Sequence, residues 1–194
     1  MSALEIPAST NIALKEWAAL TEALLAGRQI FLLRKGGIVE ARRGFELRHP
    51  GFLFFPTLEH QHYNLLKPED LHWLNQAAAH VEPNRILLRC FAVVDTVLPA
   101  PASAGALHAA ARHFIWNDTF LEQRYAYRPD LPMYLIVVRT FRLAHPQAIP
   151  DREAYTGCKS WVNLTEEIDL TGCAPVLSGE DFDVARQTLL ADFG

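Results

Sequence analysis

Apolar residues recur along this chain in two rhythms, one at every third or fourth position and one nearly unbroken over short runs. Leu14, Trp17, Thr21, Leu24 and Leu25 follow the first rhythm, with Lys15, Glu16 and Glu22 off the stripe. This spacing predicts an opening amphipathic helix, capped at its start by Asn11 or Thr10 and closed by a left-handed residue at Gly27. Residues 29–33 form the next apolar run, a strand, and Gly36-Gly37 after Arg34-Lys35 is a hairpin-turn signal with 38–40 returning. Residues 51–55 read as an aromatic strand stopped by Pro56. Pro68 suits the first turn of a second helix with Leu71, Leu74, Ala78 and Val81 as its apolar stripe.

The two longest β-type runs are 85–97 and 133–143. Their first halves are almost continuously apolar, as expected of central strands buried on both faces, and each meets a proline near its end, Pro99 and Pro146. Between them 103–124 is helical, broken near Asn117-Asp118-Thr119 into two helices. A further β-type segment covers 159–164, and Ser178 caps a last helix that turns Phe182, Ala185 and Leu189 inward. No repeat of 20–50 residues and no long linker divides the chain. The pattern predicts one α+β domain over residues 1–194, with a mixed, largely antiparallel sheet or partly closed barrel and four to five flanking helices.

Composition narrows this picture modestly. The 194 residues are 50% hydrophobic and 21% charged, which excludes a disordered chain, and the formal charge of −4 excludes wrapping of duplex DNA by bulk electrostatics. Three widely spaced cysteines, Cys90, Cys158 and Cys173, with no CxxC pair fit a reducing compartment. Residues 1–11 lack the pattern of a signal peptide, and no apolar run reaches the roughly 20 residues of a membrane helix. A cytoplasmic protein without a membrane partner is expected.

Four clusters carry candidate chemistry. Arg34-Lys35-Gly36-Gly37 sets two cations beside two permissive glycines, either an anion-holding turn or a solvated hairpin tip. It lacks P-loop spacing. His49, His60 and His62, with Gln61 between the last two, supply imidazoles for a general base or a divalent metal, or for ordinary backbone hydrogen bonds. Trp116, Arg124, Tyr125, Tyr127 and Arg128 combine rings and guanidinium groups that stack on and clamp a nucleotide, or else pack the core while the arginines snorkel. Gly157-Cys158-Lys159-Ser160-Trp161 offers Lys159 as an anion contact more readily than Cys158 as a nucleophile. The carboxylates Glu40 with Glu46, and Asp151 with Glu153, do not reproduce a metal-dependent nuclease arrangement.

Leu14-Lys15-Glu16-Trp17-Ala18, Leu33 to Ile38, Phe55-Pro56-Thr57 with His60-Gln61, Arg124-Tyr125 to Arg128 and Gly157 to Val162 together resemble an uncharacterised bacterial family, domain of unknown function 1802. The blocks span most of the chain in order, and the resemblance implies no known reaction. The first block alone is also similar to the opening of ASCH and related PUA-like domains, small β-barrels that often bind RNA or modified nucleotides. Their Gly-x-Lys pattern becomes Gly27-Arg28-Gln29 here.

The reading that follows is a domain binding a nucleic acid or nucleotide, with Arg34, Lys35, Gln61, Arg124, Tyr125 and Lys159 as ligand contacts. The alternatives are a hydrolytic or phosphoryl-transfer enzyme using His60 and His49 as catalytic groups, and a structural or interaction protein. No cofactor and no metal is identified. The deciding observation is whether Arg34, Lys35, His49, His60, Arg124 and Lys159 meet in one pocket.

Overall fold

The computed structural model describes residues 6–35, 48–59, 61–108, 110–157 and 159–193. The Gly36-Gly37 turn, the returning segment 38–40, Glu46, His60 and Cys158 lie outside the described residues. Strands are β1 (Ser9–Trp17), β2 (Phe31–Lys35), β3 (Gly51–Thr57), β4 (Arg85–Pro99), β5 (Met133–Pro150), β6 (Trp161–Asp169) and β7 (Ala174–Pro175). Helices are α1 (Ala18–Leu25), α2 (His72–Ala78), α3 (Ala104–His108), α4 (Asp118–Ala126) and α5 (Gly179–Phe193). The strands form one open sheet in the order β2-β5-β4-β3-β1-β6, with β7 continuing beside β5. Every pairing is antiparallel except β1 with β3. The architecture is α+β with a mixed, largely antiparallel sheet, as the pattern predicts, and the sheet does not close into a barrel.

The centre of the sheet is covered on both faces, which is why its strands read as continuous apolar runs. Phe52, Phe54, Cys90 and Ala92 point into one cluster, while Leu53, Phe55, Leu88 and Phe91 point into the other. The first cluster is roofed by the helices, through Leu20 and Leu24 of α1, Leu121 of α4, and Phe182 and Leu189 of α5. The second is closed by Tyr155, Val162, Leu164 and Ile168.

The chain departs from the predicted elements in four places. Residues 11–17 are strand, not helix: Ala13 and Leu14 are both fully buried, on opposite faces of β1 between β3 and β6. The helix starts only at Ala18, and all eight of its residues are buried. Its far end matches expectation. Gly27 has φ +69°, Arg28 N–H reaches Ala23 O and Gly27 N–H reaches Leu24 O, a Schellman closure. Second, β3 runs through Pro56 to Thr57. Its pairing with β4 ends at Leu53, so no ladder on that side needs the amide that proline lacks.

Third, β5 continues past Pro146, but the ladder to β4 skips from Arg142 opposite Cys90 to Gln147 opposite Leu88. Pro146 therefore sits in a bulge, where no cross-strand bond is lost. Fourth, α2 turns Trp73 and Ala77 inward, while Ala78 and Val81 are exposed. The rotation follows from Trp73, whose indole N–H donates to buried Asp70 at 3.0 Å. Asp70 is in turn paired with Arg28. Asn117 and Ser178 start α4 and α5 as expected, Asn117 accepting from Phe120 N–H and Ser178 from Asp181 N–H. Among the described residues, no helix is long and apolar enough to cross a membrane.

Candidate functional site

Parallel strands β1 and β3 end side by side, Trp17 opposite Thr57, and β1 turns into α1 without an intervening loop. Trp17 offers no side-chain cap. The cap comes from Gln61, whose Oε1 accepts from Ala19 N–H at 3.2 Å. A cleft of about 180 Å³ opens at this junction, walled by Lys15, Glu16 and Trp17 of β1, Arg34 of β2, and Phe120 and Arg124 of α4, with Trp116, Thr57 and Glu59 also at its wall.

The charges in this cleft are unevenly matched. Arg34 donates from Nη2 to the Glu16 carboxylate and, at 2.7 Å, to Lys15 O. The other Glu16 oxygen accepts from Trp17 N–H at 2.9 Å, so Glu16 is fully engaged. Arg124 has no carboxylate partner among the described residues, and its Nε is buried without an acceptor, as is Arg34 Nε. A buried donor left in this state costs about 1–3 kcal/mol. Burial and the neighbouring Arg34 charge hold Arg124 below its ordinary pKa, partly offset by Glu16. Lys15 Nζ donates to Gly157 O at 3.0 Å and lies over the Phe55 ring, with no carboxylate partner among the described residues. Among the described residues of the cleft, the three cations Lys15, Arg34 and Arg124 outnumber the two carboxylates Glu16 and Glu59.

Its apolar wall is aromatic. Trp116 stacks on Phe120 with centroids 4.8 Å apart and an interplanar angle of 13°, and Trp17 meets Phe120 edge-on at 5.1 Å. Trp116 is 3% exposed and belongs to the core, as the packing alternative has it, while also lining the cleft.

The remaining sequence-derived residues lie as follows. Lys35 is buried and donates to the Arg124 and Tyr125 carbonyls at the end of α4, its pKa lowered by burial and then by Arg124. It anchors the helix that carries Arg124 and does not line the cleft. Tyr125 donates its hydroxyl to Pro101 O at 2.6 Å, and burial pushes the phenol up to about 12. Lys159 is exposed one residue from Ser160, whose carbonyl accepts from Lys15 N–H, so it sits beside the cleft rather than in it. His49 packs edge-on against Trp161 at 4.9 Å, its pKa lowered by burial and then by Arg48. It precedes β3, roughly 25 Å from Thr57 at ~3.3 Å per extended residue. Of the six groups posed as the deciding set, Arg34 and Arg124 share the cleft; Lys35, His49 and Lys159 do not line it.

Lys15, Glu16, Trp17 and Phe120 were not foreseen as site residues. The signal was present, because a strand ending at Trp17 would have put Lys15 to Trp17 at a parallel strand's carboxyl end, where ligand clefts gather.

A family model described as a domain of unknown function, DUF1802, matches residues 13–188, and the chain belongs to that family. No curated protein matches the sequence. The chain is similar in structure to the ASCH protein of Zymomonas mobilis, at 12% identity and TM-score 0.43 over 93% of each chain. A single-substitution variant of that protein gives 11% identity and TM-score 0.46 over 96% of this chain and 98% of the other. A second variant gives 11% and 0.44 over 93% and 96%.

Proposed function

We propose that this member of the DUF1802 family binds a nucleotide or a nucleic-acid strand, with a phosphate held by Arg124 and Lys15 at the end of β1. The observation that carries the reading is the meeting of Arg34 and Arg124, far apart in sequence, with Lys15 against the Trp17, Phe120 and Trp116 rings. An unpaired guanidinium supplies charge-assisted bonds to phosphate oxygens. In a strand, the aromatic wall stacks on a base flanking that phosphate, worth about 1–3 kcal/mol per base. Arg34, already bonded to Glu16, holds the β1 end in place and adds positive potential.

Affinity here is local rather than bulk, since the whole chain carries −4. With one or two phosphates neutralised, log K should fall against log salt with a slope of about −0.7 to −1.4 for a single strand. The hydrolytic alternative draws no support from His49, and His60 lies outside the described residues.

The test is titration with single-stranded hexanucleotides and nucleoside monophosphates, followed by tryptophan fluorescence, because Trp17 and Trp116 wall the cleft. Saturable quenching is expected, with binding weakened about tenfold or more in Arg124→Met. Absence of binding at low salt, or equal binding by Arg124→Met, refutes the reading.

A further inference from the structure

A second cavity, of about 290 Å³, shares Lys15, Thr57 and Glu59 with the cleft and lies on the other side of them, between α1, the end of α2 and the start of β4. Its wall holds an ion pair between Glu22 of α1 and Arg89 of β4, with side chains 10% and 19% exposed. Arg89 Nη1 donates to Glu22 Oε1. Both side chains line the cavity. A buried ion pair adds little net stability over apolar residues of the same volume. Placed in a cavity wall, it presents an acceptor next to donors.

The rest of the wall is largely apolar. Phe55, Pro56 and Ile86 line it, and Leu58 and Val81 stand exposed at its mouth, 46% and 53% accessible. Glu22, Glu59, Glu82 and Asp151 outnumber Lys15, Arg85 and Arg89 on its wall, so this cavity, unlike the neighbouring cleft, has no surplus of positive charge to offer a phosphate. An uncharged, flat group with hydrogen-bonding edges fits it, and the volume lies at the small end of ligand pockets.

We propose that the larger cavity is a base pocket for the ligand whose phosphate occupies the smaller cleft, an inference that rests on the reading of that cleft given above. Glu22 accepts from N–H groups on the base edge, and Arg89 donates to the adjacent carbonyl or ring nitrogen. Leu58, Val81 and Phe55 cover the ring. Guanine suits the pair best, because it sets two N–H donors next to a carbonyl oxygen, whereas adenine and cytosine offer one amino group beside a ring acceptor.

The test uses five probes, the 5′-monophosphates of guanosine, adenosine, cytidine and uridine, and ribose 5-phosphate, titrated calorimetrically into the full chain. Guanosine monophosphate should bind at least about tenfold more tightly than ribose 5-phosphate, the size of one well-placed base contact. Glu22→Gln should erase the preference among bases. Because that change leaves Arg89 unpaired and risks misfolding, Val81→Trp at the exposed mouth serves as the second variant. It should bring all four nucleotides to the ribose 5-phosphate level while leaving ribose 5-phosphate binding unchanged. Equal, Arg124-dependent binding of all five probes overturns the base pocket and leaves the phosphate cleft standing. A preference that survives Val81→Trp overturns it as well, and a higher rank for another base overturns the assignment to guanine. Failure of every probe to bind removes both readings.

Discussion

Asn117 is the residue on which the cleft's aromatic and cationic wall hangs, and replacing it by alanine gives a prediction with a calculable size. Its Oδ1 accepts from Phe120 N–H at 3.1 Å, and its Nδ2 donates to Asn64 O at 2.8 Å and Leu66 O at 3.1 Å. Loss of an asparagine cap costs about 1 kcal/mol. The Leu66 carbonyl is partly buried, and losing its donor adds about 0.5–1.5 kcal/mol, whereas the exposed Asn64 carbonyl turns to water at little cost. Asn117→Ala should therefore destabilise by about 1.5–2.5 kcal/mol, or roughly 3–10 °C in Tm for a chain of this length. Urea unfolding followed by circular dichroism, with an unchanged m-value, checks it. Asn117→Asp keeps the cap acceptor and adds charge at the helix start but loses both donors, so it should fall between wild type and alanine. An alanine variant within 0.5 kcal/mol of wild type, or an aspartate variant no better than alanine, refutes the reasoning. Helix α4 has nine residues and is marginal without its cap. Nucleotide affinity should therefore fall with stability, since Phe120 and Arg124 ride on it.

Three further outcomes follow from single groups. Gly27→Ala forces a side chain into φ +69° and sets its Cβ 2.7 Å from Leu177 Cδ2, a flexible tip that yields. The cost is then mainly conformational, about 1–2 kcal/mol, with Gly27→Asn milder, and thermal unfolding of the two variants should show that order. Cys90 is fully buried, and burial pushes its thiol from about 9 to about 12. Its folded value is raised, so the protonated thiol's stabilisation is complete below pH 9 and lost at about 1.4 kcal/mol per pH unit from there to 12. Alkaline unfolding of Cys90→Ala should show a shallower slope, and native Cys90 should resist thiol reagents at neutral pH. Asp192 is held below its ordinary 3.8, chiefly by the hydrogen bond from His113 and then by Arg112. Its contribution is present above pH 3.8 and lost as pH falls through the lower folded value, so Asp192→Asn should flatten acid unfolding there.

The parts of the fold legible in the sequence are those whose chemistry is local. Gly27, Asn117 and Ser178 mark helix ends because each satisfies backbone groups within a few residues of itself. Pro56 and Pro146 read as strand ends, yet β3 and β5 pass through them, because the ladder to β4 ended or bulged on the side that would have missed an amide. Sequence shows that a proline has no amide to donate. It does not show whether a neighbour is there to be missed.

The junction of β1 and α1 explains both the misplaced helix start and the unforeseen site residues. A strand buried on both faces that runs straight into a helix buried all round leaves no turn residue and no polar boundary. The spacing of Leu14 and Trp17 then mimics one longer helix. The true helix start is capped by Gln61 from a distant segment, a signal no local reading contains. Placing 14–17 on a helix turned Lys15 and Glu16 toward solvent, although Glu16 holds Arg34 and Lys15 stands between the two cavities. The same assumption treated Glu22 as a solvated charge off the stripe. On a helix with no exposed face it instead pairs with Arg89 in the wall of the larger cavity. Arg34 and Arg124 were legible as basic groups near rings. Their convergence was not, because it needs β2 laid along β5 and Lys35, expected at a hairpin tip, turned inward to grip the carbonyls of α4. Severing that grip with Lys35→Met should loosen Arg124 and weaken nucleotide binding without touching any ligand contact, which separates a positioning lysine from a binding one.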